Sequence, residues 1–167
     1  ACITALTLSG LPTRRFAFEA FLPSDKKERA CILQELKNET RTIILYEAPH
    51  RLVKTLEELY AELGDRKISL CRELTKKHET VFRDTLSQAI AWYKENPPKG
   101  ECVMVLAGRP REELVLEERQ KWENMSLEEH LAIYEKEGMS RKDAMKQVAK
   151  DRGIRKRDVY QALLNQE

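Results

Sequence analysis

Thr42-Ile43-Ile44-Leu45-Tyr46, running directly into Glu47-Ala48-Pro49-His50-Arg51, is the stretch on which the fold turns. Its first five residues are a β-branched apolar run of the kind that a sheet buries on both faces. Pro49 punctuates the run, and the apolar period then changes. Leu52, Leu56, Leu59, Tyr60 and Leu63 form one helical stripe, which Gly64 closes. Ile68-Ser69-Leu70-Cys71 is the next apolar run and completes a βαβ unit.

Upstream, residues 3–9 read as a helix ended by Gly10 and Pro12. Phe16-Ala17-Phe18-Glu19-Ala20-Phe21 reads as a short strand stopped by Pro23, although aromatics at 16, 18 and 21 do not share one parity. Ser24 is a candidate cap for a helix from Asp25 to about Asn38, with Ala30, Leu33 and Leu36, or Cys31 and Leu36, as its apolar positions. Downstream, residues 79–86 predict a strand, and Ser87 opens a helix that passes Trp92 and Tyr93 and stops at Pro97-Pro98. Residues 100–108 form the last and most apolar strand. Five strands alternating with three helices predict an α/β fold, a mixed sheet of about five strands flanked by helices. Beyond Pro110 only helices are expected, over about 111–122, 126–137, 141–152 and 155–165, with Ser126 and Ser140 at the start of capping patterns. The expected domains are an α/β lobe over 1–110 and a small all-α tail over 111–167.

The chain has 167 residues, 41% hydrophobic and 35% charged, which suffices for one good core and a small satellite. No apolar run nears the ~20 residues of a membrane span, and no signal-peptide pattern opens the sequence, so neither a membrane nor a secreted protein is expected. Cysteines at 2, 31, 71 and 102 show no CxxC or Cys/His cluster. They fit neither a zinc site nor a disulfide scaffold and read as small core residues in a reducing cytoplasm, with no metal expected. The text begins without Met and already in helix-like sequence, so a fragment lacking an N-terminal part is expected. Charge is uneven: residues 1–110 carry +3, residues 111–137 carry −5 and residues 138–167 carry +4. The acidic stretch reads as a solvated helix face, whereas a basic C-terminal unit fits a phosphate backbone.

Two loops carry the candidate chemistry. Glu47, His50 and Arg51 follow a buried strand and open a helix, where α/β sheets bind ligands and a helix N-terminus meets anions. The alternative is that His50 caps the helix and Glu47 pairs with Arg51. Cys71-Arg72-Glu73-Leu74-Thr75-Lys76-Lys77-His78-Glu79 packs eight titratable or hydroxylic side chains into nine residues directly after a core strand. If the two strands are parallel, both loops face one sheet edge and suggest a polyanion or nucleotide site. No P-loop, GxGxxG, GxSxG or HExxH occurs. His130 reads as a surface or packing residue. In the tail, Ala149, Gly153, Ile154 and Val159 have helix-turn-helix spacing, and Arg155-Lys156-Arg157 would lead the helix that addresses nucleic acid, packing or dimerisation being the alternative.

Ser9-Gly10-Leu11-Pro12, Phe18-Glu19-Ala20-Phe21-Leu22-Pro23, Tyr46-Glu47-Ala48-Pro49-His50-Arg51, Arg72-Glu73-Leu74-Thr75-Lys76 and Gly100-Glu101, in this order and spacing, resemble the small-subunit ribosomal RNA methyltransferases of the tetrapyrrole methylase superfamily. The resemblance spans the whole chain, tail included. It implies S-adenosyl-L-methionine as cofactor, 2′-O-methylation of a cytidine ribose in small-subunit (16S) rRNA of the 30S subunit, a two-lobed fold with the donor between lobes, and a homodimer. Glycine-rich donor loops that precede the corresponding segment in the family have no match here. The resemblance therefore implies a C-terminal lobe plus tail, with half of the donor site absent and the fragment alone inactive. Carried over by residue, it implies donor contacts at Ala1, Glu47, Leu74, Ala107 and Gly108, although Glu47 stands where relatives often have Met. Proton removal or charge stabilisation falls to Glu47, Glu73 or Lys76, and RNA contact to His50, Arg51, Arg72, Thr75, Arg155, Lys156 and Arg157. The alternatives are a non-catalytic RNA-binding or dimerisation module, and a porphyrin or corrin methylase, for which a basic helical tail has no use.

Overall fold

β2 (Thr42–Glu47) is buried at every residue but Tyr46, which is half-buried. The computed structural model describes residues 1–164, and the chain divides into two units, Ala1–Pro110 and Arg111–Glu167. In the first unit the order is α1 (Cys2–Ser9), β1 (Phe16–Phe21), α2 (Lys26–Lys37), β2, α3 (Leu52–Leu63), β3 (Lys67–Arg72), β4 (Thr80–Thr85), α4 (Leu86–Glu95) and β5 (Cys102–Leu106). The strands form one mixed sheet in the order β1-β2-β5-β3-β4. β1 and β2 are parallel, while β5 is antiparallel to both β2 and β3. β2 and β3 therefore run the same way, but β5 separates them, so the predicted βαβ holds in direction and not in adjacency.

Three local readings change for physical reasons. The mixed parity of β1 is a bulge: register shifts between Phe18 and Ala20, and Ala20 takes φ 53°. The extra residue returns Phe21 to the face of Phe18, and both rings meet Tyr46 edge-on at 5.6 and 5.3 Å. α2 is capped by Asp25 rather than Ser24, its carboxylate accepting from Lys27 and Glu28 N–H at 3.0 Å. Ala30 and Cys31 are exposed on α2, which buries Arg29, Leu33 and Leu36. Ser87 lies inside α4, whose N-cap residue is Thr85; Asp65 accepts from the Ser87 N–H and hydroxyl at 2.9 and 2.8 Å.

The sheet separates two apolar layers. On one face Leu33, Leu36, Ile43, Leu45, Leu56, Leu70, Tyr93, Met104 and Leu106 pack with α2, α3 and α4. On the other, Ile44, Cys71, Val103 and Val105 pack with Ala5 and Leu6 of α1. This second face has only one short helix over it in the unit.

The tail holds α5 (Arg111–Glu123), α6 (Leu127–Lys136), α7 (Arg141–Arg152) and α8 (Lys156–Leu164). Position 165, the expected end of the last helix, lies outside the described residues. Ser126 forms a complete capping box with Glu129, and Ser140 caps α7. Leu131, Ala144, Val148, Ala149, Val159 and Leu163 make its core. Gly153 ends α7 at φ 64°, and Ile154 N–H donates to Ala149 O at 3.0 Å, so the small residue and the turn are where the spacing put them. Ile154 itself is exposed. His130 is completely buried, stacked on Trp122 with ring centroids 3.8 Å apart. No described helix is long and apolar enough to cross a membrane.

Candidate functional site

The strand directions gather the chemistry at one sheet edge. β2 and β3 end there and β5 begins there, so Glu47 and Arg72 both stand opposite Cys102. Beyond Arg72 the chain turns tightly: Glu73 and Thr75 take φ 49° and 64°, conformations that a side-chain-bearing residue holds only when its surroundings enforce them. The enforcing contacts are visible. Lys76 N–H donates to Glu73 O at 2.9 Å, Thr75 N–H donates to Glu79 Oε2 at 2.7 Å, and the Thr75 hydroxyl donates to Leu74 O at 2.6 Å.

This turn presents Glu73, Leu74 and Lys76 to a cleft of about 310 Å³ on the α1 face, closed by Ala1, Cys71, Gly100, Glu101 and Val103. Lys76 Nζ lies 3.2 Å from Glu73 Oε1. A Cβ on Gly100 would stand 2.5 Å from that same oxygen, so glycine at this position leaves room for the carboxylate. A neighbouring hollow shares Glu73 and Gly100 and adds Arg72, His78 and Lys99. Arg72 is oriented by Thr80 Oγ1 at 3.2 Å. Burial pushes the Cys71 thiol up and the Cys102 thiol up to about 12, so both are protonated core residues, not nucleophiles. Cys31 departs from the core reading by being exposed.

The expected site residues thus fall into separate groups. Ala1, Glu73, Leu74 and Lys76 line one cleft, with Arg72 and Thr75 beside it. Glu47 does not line the cleft: it is 1% exposed and turned to the opposite face, where Oε2 accepts from Thr55 Oγ1 at 2.6 Å and Oε1 from Ala48 N–H at 2.9 Å. Arg51 Nε is 3.5 Å from Glu47, the pairing alternative in the loop, whereas α3 has Arg51 as N-cap residue and no side-chain cap from His50. His50 is exposed. Ala107 and Gly108 sit at the other end of the sheet, because β5 is antiparallel: Ala107 N–H donates to Lys67 O, and Gly108 lies against the Thr40–Arg41 backbone. Arg155, Lys156 and Arg157 are exposed at the start of α8 in the second unit. Lys99, Gly100 and Glu101 were not among the expected site residues, whereas His78 belongs to the polar loop already singled out. Sequence analysis assigns no direction to the last strand; because β5 is antiparallel to β2 and β3, its start at Gly100-Glu101 joins their ends.

A family model described as tetrapyrrole (corrin/porphyrin) methylases matches residues 1–90. Ribosomal RNA small subunit methyltransferase I of Halalkalibacterium halodurans is 46% identical over 96% of this chain and 55% of its own length. The protein of that name from Bacillus subtilis is 45% identical over 97% of this chain and 55% of its own. The chain thus spans about half the length of these curated relatives. Among solved structures, a cobalt precorrin-4 methyltransferase aligns over 64% of this chain and 48% of its own, at 16% identity and a TM-score of 0.48.

Proposed function

The chain belongs to the tetrapyrrole (corrin/porphyrin) methylase family, and from that premise we propose that it is the part of an S-adenosylmethionine-dependent ribosomal RNA methyltransferase that carries the substrate-side chemistry. The relatives' names support rRNA as substrate. The target proposed is a cytidine 2′-hydroxyl in small-subunit rRNA, modified on the 30S subunit by a homodimer. The observation that carries the reading is the cleft in which Ala1, Glu73, Leu74 and Lys76 meet.

Its lining fits part of the methyl donor. Leu74 and Val103 offer an apolar wall, and the Glu73 and Glu101 carboxylates attract a sulfonium cation. When bound, the donor supplies an electrophilic methyl group. Glu73 accepts the proton of the attacking ribose hydroxyl, and Lys76, held 3.2 Å from it, steadies the negative charge that develops on oxygen. Arg72 and the exposed His50 contact the RNA backbone, and Arg155, Lys156 and Arg157 add a second, basic contact. Glu47 serves as a positioning residue through Thr55 and Arg51.

The test is methyl transfer from labelled S-adenosylmethionine to small-subunit rRNA by the protein that contains this chain, with mass analysis of the digested nucleosides. A labelled 2′-O-methylcytidine is expected; label on a base, or no label, overturns the proposal. Glu73→Gln and Lys76→Ala should each lower kcat by about 10²-fold or more with little change in RNA affinity. Normal turnover in both variants removes them from the mechanism.

A further inference from the structure

A further hollow of the α/β unit lies away from the cleft, on the side of the sheet covered by α2, α3 and α4. It is a groove of about 570 Å³ between the start of α2 and the start of α3. Lys26, Arg29, Arg51 and Lys54 line it, with Glu58 as its only acidic side chain. That acid is already used, since Arg29 Nε donates to Glu58 Oε2 at 2.6 Å. Arg29 also donates to Thr55 Oγ1 at 2.7 Å, and so forms a neutralised, buried wall. Arg51 reaches across the mouth to Ser24 Oγ at 3.5 Å and remains one-third exposed.

Lys26 and Lys54 are exposed and form no ion pair. Lys27 and Lys37 of α2 are likewise exposed and unpaired but lie outside the groove, so concavity, not the lack of a partner alone, distinguishes Lys26 and Lys54. Lys94 pairs with Glu57 at 2.7 Å, and Gln34 closes the far end of the α2–α3 seam on Glu62 at 2.6 Å. The near end of the seam thus holds two cations without a carboxylate to face, Lys26 and Lys54, beside Arg51, whose Nε lies 3.5 Å from buried Glu47.

We propose that this groove binds the phosphate backbone of the RNA substrate, with Lys26 and Lys54 as its principal contacts and Arg51 between them. The proposal rests on the rRNA reading above and extends the RNA surface from the strand-end loops onto the helical face. A concave surface with four cationic side chains, two of them paired and two, Lys26 and Lys54, left without a carboxylate, suits a polyanion, and the Ala48–Arg51 loop joins the groove to the sheet edge that carries the cleft. Two lysines and an arginine without base-reading geometry position an RNA strand without reading its sequence.

The experiment is a salt titration of the whole chain with a small-subunit rRNA hairpin, comparing wild type with Lys26→Ala/Lys54→Ala. A second double variant, Lys27→Ala/Lys37→Ala, removes equal charge from exposed positions of α2 outside the groove. Loss of two phosphate contacts should make the slope of log K against log salt shallower by about 2 and weaken binding roughly tenfold, with the second double variant close to wild type. Equal effects in the two double variants, or none in either, overturn the groove and leave the rRNA reading standing. Failure of the wild-type chain to bind the hairpin at low salt overturns both.

Discussion

At the scale of single residues, the two glycines flanking β5 carry opposite consequences. At Gly108 a Cβ would meet the Thr40 carbonyl carbon and oxygen at 2.3 Å and the Arg41 oxygen at 2.4 Å. All three are backbone, so nothing can rotate away, and the first turn after β5 must separate from the segment leading into β2. Gly108→Ala should therefore cost about 2–3 kcal/mol, at the upper end of overpacking effects, read as a lower urea midpoint for the α/β unit; an unchanged midpoint would show that the Thr40–Arg41 approach is not obligatory. At Gly100 the added Cβ meets only the tip of the Glu73 side chain, which can swing aside. Strain there comes instead from φ 79°, so the damage falls on the placement of Glu73 more than on the fold. The sequence resemblance assigned Gly108 to donor contact; close backbone packing is sufficient to account for a glycine at that position.

At the scale of elements, α6 and α7 are tied through one buried imidazole. Arg152 Nε donates to His130 Nδ1 at 3.1 Å, and Arg152 also bonds the Met125 and Ser126 carbonyls. That donor assigns the ring proton to Nε2, which lies 3.4 Å from Asp151 Oδ2 without a hydrogen bond. Tyr134 donates to the same carboxylate oxygen at 2.5 Å, and Gln147 donates to its other oxygen. Burial, and then the Arg152 charge, hold the His130 pKa below its usual 6.5, against a smaller opposing pull from Asp151. A histidine with a lowered folded pKa binds its proton more readily unfolded, so stability is full above about pH 6.5 and falls as pH drops from there toward the folded value. Thermal unfolding of the tail, followed by circular dichroism, should thus shift to lower temperature between about pH 7 and 5.5, and His130→Gln should flatten that dependence. A wild-type profile already flat in this window refutes the assignment. Packing was one of the two readings the sequence allowed for His130, but the network was not legible, because its charged partners Asp151 and Arg152 belong to a different helix, α7. What was legible were elements set by local rules: the β-branched run of β2, the apolar stripe of α3, the Ser126 capping box and the Gly153 turn. What was not legible depended on partners distant in sequence: Asp65 supporting α4, the β1 bulge that brings Phe21 onto Tyr46, and the insertion of β5. That insertion also decided the site, gathering Glu73, Lys76 and Glu101 while sending Ala107 and Gly108 to the opposite edge.

At the scale of the whole molecule, the apolar interior is divided. The sheet's two layers draw only on residues of Ala1–Pro110, and the helical core draws only on residues of the tail. Each unit has one tryptophan: Trp92 of α4, 53% exposed, stacks with Phe82, which packs against the helix-covered layer of the sheet, and Trp122 is stacked on buried His130. Leu131, 3% exposed, is a central side chain of the tail core. Its truncation to alanine removes buried methyl groups and leaves a cavity, which costs about 2–5 kcal/mol in comparable cores. Because no residue is shared between the cores, that loss should appear in one of them. In a Trp92→Phe background, Leu131→Ala should lower the urea midpoint followed by Trp122 fluorescence; in a Trp122→Phe background, the same substitution should leave the Trp92 midpoint in place. A shift of equal size in both would mean that the two units unfold as a single cooperative body. Independent midpoints would mean that a ligand held by the tail stabilises the tail alone and leaves the α/β unit at its own stability, because binding stabilises only the body whose unfolding it is coupled to.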